Sequence, residues 1–264
     1  MTPAATSLMQ SFAIQRRVVR ALLLRELITR FGRENLGVLW LIGEPMIFTL
    51  GVAALWTALR AHQLTNLPII AFAITGYSSV LVWRNTVSRC IGGIDANASL
   101  LYHRNVRVID IYATRILLEL GGATASFSVL TVIFLATESI YPPVDPLSVV
   151  VGWAMLSWFG AALATFIGSA TAFSHLVDRI WHPLSYLLFP LSGAAFMVDW
   201  LPPAGREVVL LLPMVHGLEL IREGFFGNVV PTHYDIAYMA TFNLMLTLAG
   251  LFAMRAAAGR VGGK

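Results

Sequence analysis

Residues 199–235 read DWLPPAGREVVLLLPMVHGLELIREGFFGNVVPTHYD, a polar, proline-broken insert in an otherwise very apolar chain. Two apolar runs lie inside it, Ala204 to Leu212 and Met214 to Phe226, separated by Pro213. Neither reaches the ~20 residues that a bilayer-spanning helix needs. Yet Val208, Val209, Leu210, Leu211, Leu212, Leu218, Leu220, Ile221, Phe225 and Phe226 are too apolar for a loop free in water. The stretch therefore predicts a helical hairpin over 200–227 that dips into a membrane or lies on it. Its backbone polar groups must then be satisfied by protein or by a water-filled cavity. Pro202 and Pro203 suit a helix start, because proline is tolerated in a first turn and not in an interior. On the hairpin, Glu207, Glu219, Arg222 and Glu223 are expected to face an aqueous exit, with Pro213 as the break between the helices and Arg206 and His216 as further residues of the hairpin.

Outward from this insert, residues 61–83, 146–177, 180–198 and 236–254 contain no Asp, Glu, Lys or Arg, while 36–59 holds only Glu44 and 116–137 only Glu119. These runs predict six membrane spans, at 36–59, 67–89, 112–137, 147–173, 180–198 and 234–254, in an all-α polytopic protein. A composition of 57% hydrophobic and 12% charged residues excludes a soluble domain. No repeat or low-complexity segment divides the chain, so residues 1–264 are expected to form one membrane domain. Fifteen Lys and Arg fall on the side of the two termini and of the loops after spans two and four, against Arg60, Arg206 and Arg222 on the other. By the positive-inside rule both termini and the loops after spans two and four are expected to be cytoplasmic. The net charge of +4 is thus a topology signal, and no nucleic-acid patch is visible in it. The arginines of residues 16–33 also interrupt any signal-peptide core. A single cysteine, Cys90, excludes an internal disulfide and a multi-thiolate metal site.

Residues 12–33 predict a helix lying on the membrane surface, its apolar face shifting near Ala21, with Arg16, Arg17, Arg20, Arg30 and Arg33 among lipid phosphates. These arginines either set topology and bind anionic lipid or capture a phosphate-bearing lipid substrate. On the first span Trp40, Glu44 and Phe48 share a stripe, and Pro45 leaves the Leu41 carbonyl without its helical partner. An intramembrane carboxylate is costly, so Glu44 is a candidate for a substrate path or gate, against a structural hydrogen bond to a neighbouring helix. Tyr77 and Trp83 are the candidate path residues of the second span. Gly160, Ala164, Gly168 and Ala172 form a small-residue seam for close helix approach. Trp40, Trp56, Trp83, Trp181 and Trp200 fall near span ends, as an interfacial belt would.

Much chemistry is excluded. The only lysine is Lys264, so the chain carries no P-loop, and neither HExxH nor GxSxG occurs. His216, Glu219 and Glu223 share a helical face, but Arg222 gives Glu219 an ordinary ion partner, and no metal or other cofactor is expected on this chain. An intramembrane enzyme would need Ser192 with His216 or His175, and nothing around them supplies a base-and-oxyanion arrangement. A passive channel would need no nucleotide.

The stretches RELITRFGRENLGVLWLIGEP (residues 25–45) and LSGAAFMVDWLPPAGREVVLLLPMVHGLELIREGFF (residues 191–226) resemble the membrane subunit of ABC-2 type capsular polysaccharide exporters. O-antigen and teichoic acid exporters share that architecture. The resemblance implies a homodimer paired with two cytoplasmic ATPase subunits that bind ATP and Mg, and a channel for lipid-linked polysaccharide. It also implies periplasmic and outer-membrane export partners, and a coupling helix on Asn97, Ala98, Ser99, Leu100, Leu101, Tyr102, His103 and Arg104, with Asn105 beside it. By the same resemblance residues 12–33 are the interfacial helix and the runs around Pro213 are gate helices. Apolar Leu100, Leu101 and Tyr102 beside polar Arg104 and Asn105 also suit a groove on a partner protein.

Overall fold

The computed structural model describes residues 8–31, 37–59, 67–101 and 106–262. The main elements are α1 (Leu8–Phe31), α2 (Gly37–Ala58), α3 (Ile69–Cys90), α4 (Ala98–Leu101), α5 (Val108–Ala136), α6 (Pro146–Thr171), α7 (His175–Leu191), α8 (Pro203–Val209), α9 (Pro213–Phe226) and α10 (Ile236–Gly262), with short 3-10 turns between some of them. Among the described residues four stretches, Leu39–Ala58, Val108–Ala136, Pro146–Thr171 and Ile236–Arg260, are long and apolar enough to cross a membrane. α3 is also long, but Arg84 and Asn85 lower its hydropathy, and to a lesser degree so do Thr75, Ser78, Ser79 and Thr86. The last four are buried side chains, and Thr75 and Ser79 donate to the carbonyls of Ala71 and Thr75 at 2.8 and 2.6 Å.

α7 departs from its expected bounds of 180–198. Ser174 Oγ accepts from the Leu176 amide at 3.2 Å and starts the helix one turn before Arg179, so its first turns carry Asp178 and Arg179. At the other end the helix stops at Leu191 and the chain turns through Gly193 at φ +86°. α1 begins before residue 12 and runs unbroken through Ala21. Its moving apolar face has another cause: Val18, Val19, Leu22, Leu23, Glu26, Leu27 and Arg30 form one half-buried stripe against the bundle, while Leu24 and Ile28 are exposed on the opposite side.

α6 is the central helix, packed against α10, α9 and α3. The small-residue seam is used within the chain. A Cβ at Gly160 would lie 3.0 Å from the Trp83 Cα, one at Gly168 would lie 2.9 Å from the Cys90 carbonyl oxygen, and Ala164 between them is fully buried. A second small-residue contact joins α6 to α9: a Cβ at Gly152 would lie 2.8 Å from the Gly217 carbonyl, and one at Gly224 would lie 2.7 Å from the Val149 amide. α9 therefore runs antiparallel beside the first half of α6, and the Asp145 amide closes the contact by donating to the Gly224 carbonyl at 2.8 Å. Nearly every residue of α9 is buried, its His216, Glu219 and Arg222 included.

The tryptophan belt is only partly realised. Trp83 and Trp181 are buried and meet edge-to-face at 6.4 Å, filling the core rather than an interface, whereas Trp40 and Trp200 stay exposed. Trp83 thereby leaves the expected substrate path.

Replacing Gly152 with Val is expected to cost about 1–3 kcal/mol, because the new side chain meets backbone that cannot yield. Gly43→Ala, where a Cβ would meet nothing within 4 Å, should be neutral or stabilising by up to ~1 kcal/mol. Thermal unfolding of the two variants in detergent, compared with the parent chain, measures both.

Candidate functional site

Aromatic rings of α2, α3 and α7 form a ladder. At one end the Arg84 guanidinium lies 4.6 Å from the Tyr186 ring and 6.0 Å from that of Phe189. Phe189 meets Tyr77 at 5.6 Å and Phe48 at 6.2 Å, and Tyr77 meets Phe48 at 6.1 Å and Trp56 at 6.2 Å. Trp56 tilts over Phe72 at 5.6 Å, and Phe72 stacks on Trp200 at 5.5 Å. From Phe72 to Arg84 the ladder follows α3 for about 18 Å at the helical rise per residue. Tyr77 and Phe72 are its buried base, while Phe48, Trp200 and Tyr186 present exposed rings. Trp40 and Glu44 continue the exposed stripe of Phe48 along α2.

Where the ladder reaches Trp200, the chain is locked by buried charge. Arg222 is fully buried. It donates to the carbonyls of Gly193, Phe196 and Ala194 at 2.7, 2.5 and 3.0 Å, and lies 4.0 Å from the Phe72 ring centre. Glu219, 4.0 Å from Arg222, accepts from the amides of Val198 at 3.4 Å and His233 at 3.1 Å. Arg222 and Glu219 were expected to face an aqueous exit, and both are inside the fold because backbone left without helical partners after Leu191 needs them. His216 is likewise committed: Nε2–H donates to the Leu210 carbonyl at 2.8 Å and Nδ1 accepts the Asp235 amide at 2.9 Å, which fixes the neutral tautomer. With both ring nitrogens occupied it offers no metal ligand and no catalytic base. Ser192 is buried, and its hydroxyl donates to the Phe189 carbonyl at 2.7 Å, which leaves the enzyme reading without a nucleophile. Glu207 is exposed on α8, Arg206 bridges to Asp199 at 3.2 Å, and Glu223 accepts from Thr232 at 3.2 Å.

At the opposite end six charges from four helices alternate in sign. Arg30 meets Glu26 at 2.9 Å and also Glu119, and Arg115 reaches Glu26 at 3.6 Å. Arg89 lies 3.5 Å from both Glu119 and Glu44. Arg30 was read among the lipid-facing arginines and instead turns inward, while Arg16, Arg17 and Arg20 are exposed. The loop leaving α3 is tied to this end by Asn97, which accepts from Arg25 at 3.1 Å and donates to the Gly93 carbonyl at 3.0 Å. Asn97 is therefore buried, Leu100 and Leu101 are half-buried, and Ala98 and Ser99 form the outward surface of α4. Tyr102, His103, Arg104, Asn105 and Arg33 lie outside the described residues.

Residues 17–226 match the ABC-2 type transporter family. The chain belongs to the ABC-2 type transporter membrane family. This ABC-2 type chain is 44% identical over 246 residues to the capsule polysaccharide export inner-membrane protein CtrC of Neisseria meningitidis serogroup B, covering 93% of each sequence. It is 41% identical over 250 residues to the capsule polysaccharide export inner-membrane protein BexB of Haemophilus influenzae, covering 95% of this chain and 94% of BexB. The polysialic acid transport protein KpsM of Escherichia coli is 27% identical over 245 residues, covering 92% of this chain and 95% of KpsM.

The packing of α9 on α6 has a signal in the ABC-2 type sequence: Gly217 and Gly224, spaced two turns apart on α9, permit close approach to α6. Nothing in the sequence separated Arg222 from exposed arginine.

Burial pushes the His216 imidazole below its ordinary pKa. The unfolded chain therefore takes up the proton first. The contribution of His216 to stability is complete above about pH 6.5 and is lost as pH falls from there through the lowered folded value. Unfolding temperatures of the parent chain and of His216→Gln, measured between pH 7.5 and 5, should converge on the acid side.

Proposed function

We propose that the chain is the membrane subunit of an ATP-driven exporter that moves lipid-linked capsular polysaccharide from the cytoplasm across the bacterial inner membrane. The observation that carries this reading is the aromatic ladder, set beside identities above 40% to CtrC and BexB. Sugar rings present apolar C–H faces that stack on aromatic side chains, and a row of such rings gives a polymer repeated, shallow footholds. The polar groups beside the ladder, Glu44 and Arg84, meet hydroxyls and charged substituents.

In this reading α2, α3, α5, α6, α7 and α10 are six spans with both termini cytoplasmic, which puts the six-charge cluster at the cytoplasmic end and the hairpin at the periplasmic end. α3 has 22 residues and α7 has 17, about 33 and 26 Å of helix against a hydrocarbon core of about 30 Å. α8 and α9 form a re-entrant gate. Support comes from the pairing of α9 with α6, since Gly224 lies beside Val149 near the start of α6 whereas Gly217 lies beside Leu156, two turns deeper. Arg222, Glu219 and His216 act there as the internal fastening of the gate, and exposed Glu207, Val208 and Leu211 form its outer surface.

ATP and Mg belong to a separate nucleotide-binding subunit, two copies of which pair with a homodimer of this chain. The loop around α4, with Ala98 and Ser99 outward, is the docking surface, and Arg25 on the interfacial helix senses its position through Asn97. Periplasmic and outer-membrane capsule export proteins receive the polymer, and the exposed Arg16, Arg17 and Arg20 hold anionic lipid at the cytoplasmic leaflet.

Phe48→Ala and Trp56→Ala are each expected to lower surface polysaccharide about 3- to 10-fold in a deletion strain complemented with the variant, from loss of ~1 kcal/mol of stacking per ring. Insertion and association with the ATPase should be unchanged. Export at the parental level in both variants would refute the path. Glu44→Gln, which releases Arg89, should impair export more than insertion, as read by surface polysaccharide against membrane-fraction abundance. A cysteine at exposed Leu211 crosslinked to the second subunit should block export, and full export by the locked protein would remove the gate.

A further inference from the structure

We propose that the small cavity between α1, the loop leaving α3 and the start of α5 is a binding site for one ordered water molecule, which joins the three elements. Its walls include Arg25 and Glu26 of α1, Asn97 of the loop, and Ile111, Thr114 and Arg115 of α5. Two polar atoms of these residues, Thr114 Oγ1 and Arg115 Nε, are buried without a hydrogen-bond partner among the described residues. Thr75, Thr131 and Thr165 each spend their hydroxyl on the carbonyl four residues back. Thr114, 2% exposed, makes no such bond, and its hydroxyl is left to the cavity. Arg115 Nε lies 3.6 Å from Glu26 Oε1, which is an ion pair but too long for a hydrogen bond. A buried polar contact stretched to this length is where a bridging water belongs.

Size and charge identify the occupant. The cavity measures about 10 Å³, at the lower limit for a single water and too small for a phosphate or carboxylate group. A cation would face the guanidinium groups of Arg25 and Arg115, and a halide, larger than water, would lie against the Glu26 carboxylate. Water is neutral and both gives and takes hydrogen bonds. It accepts from Arg115 Nε–H and donates to Thr114 Oγ1 or to Glu26, which supplies the several partners a buried water needs. Asn97 already accepts from Arg25 at 3.1 Å and donates to the Gly93 carbonyl at 3.0 Å, so the loop is fixed to α1 directly. At Glu26, by contrast, α1 meets α5 through an exchangeable molecule, whereas one turn further along both helices Arg30 and Glu119 meet without one. The site stands independently of the export reading.

The full chain in nanodiscs is exposed to hydroxyl radicals generated by X-rays, which form at bound water and oxidise the side chains beside it, and the labelling of each residue is read by mass spectrometry. Ile111 and Ile74 are both buried, and of the two Ile111 lines the cavity. Ile111 should be labelled faster than Ile74. Thr114→Val keeps the shape of the side chain without its hydroxyl. It should bring Ile111 down to the rate of Ile74 and lower the unfolding temperature by about 2–4 °C, while Thr114→Ser should keep the labelling. A hydroxyl with no water on it gives the opposite sign, because removing an unpaired buried polar group stabilises. A raised unfolding temperature in Thr114→Val, or Ile111 labelling that the substitution leaves unchanged, would therefore overturn the site. So would equal labelling of Ile111 and Ile74 in the parent chain, a measurement that needs no variant to fold. If the parent chain, and not Thr114→Val, unfolds at a higher temperature in chloride than in gluconate, the occupant is a halide and the water assignment falls.

Discussion

Arg222 is the group on which one end of the molecule depends. After Leu191 the chain stops being helical, and the carbonyls of Gly193, Ala194 and Phe196 would be left without partners in a buried place. An unpaired buried carbonyl and an unpaired buried cation are each expensive, and here each answers the other. Because the guanidinium is planar and forked it reaches three acceptors at once, a task the single ammonium of lysine could not perform in the same geometry. The arrangement also demands room: a Cβ at Gly76 would lie 2.4 Å from the Ala194 carbonyl oxygen, so only glycine lets the turn lie on α3. Glu219 completes the set by holding the amides of Val198 and His233, and α9 is drawn into the protein rather than left on its surface.

The helices were legible in the sequence, since charge-free runs of membrane length placed α2, α3, α5, α6 and α10 within a few residues of their bounds, apart from the longer far end of α10. Hydropathy could not give α7, because a window that stops at Arg179 has no means of knowing that Ser174 caps the helix earlier. The small-residue seam on α6 was readable for a physical reason: four-residue spacing of Gly and Ala has few uses other than backbone approach. Direction was harder to read. Arg30 and Arg16 look alike in the sequence, yet one joins Glu119 inside the bundle and the other is exposed, because only the fold brings the complementary acid into reach. Trp83 left the expected path for the same reason: it lies about 10 Å inside α3, and the side of the helix it occupies faces Phe159 and Trp181.

The end opposite the hairpin uses charge differently. Glu26, Glu44, Glu119, Arg30, Arg89 and Arg115 alternate in sign across α1, α2, α3 and α5, and balance to zero. Individual ion pairs of this kind contribute little when exposed, and removing one member of a buried pair is costly. Glu119 and Arg30 occupy the buried part of the cluster, while Arg89 and Glu44 are half-exposed and their contact is long at 3.5 Å. The cluster thus grades from fixed to yielding, and its yielding edge is the one that meets the exposed stripe of Trp40, Glu44 and Phe48.

Between these two charged ends the face formed by α2, α3 and α7 is held by ring contacts, with the Arg84 guanidinium over Tyr186 at one end and that of Arg222 over Phe72 at the other. That difference suits a transported polymer. Deep polar sites would hold one sugar and release it slowly, whereas contacts of about 1 kcal/mol, repeated along about 18 Å of helix, bind a chain without pinning any unit of it. The two ends and the middle are therefore built differently: buried charge is paired at the ends, and ring contacts carry the stretch between them.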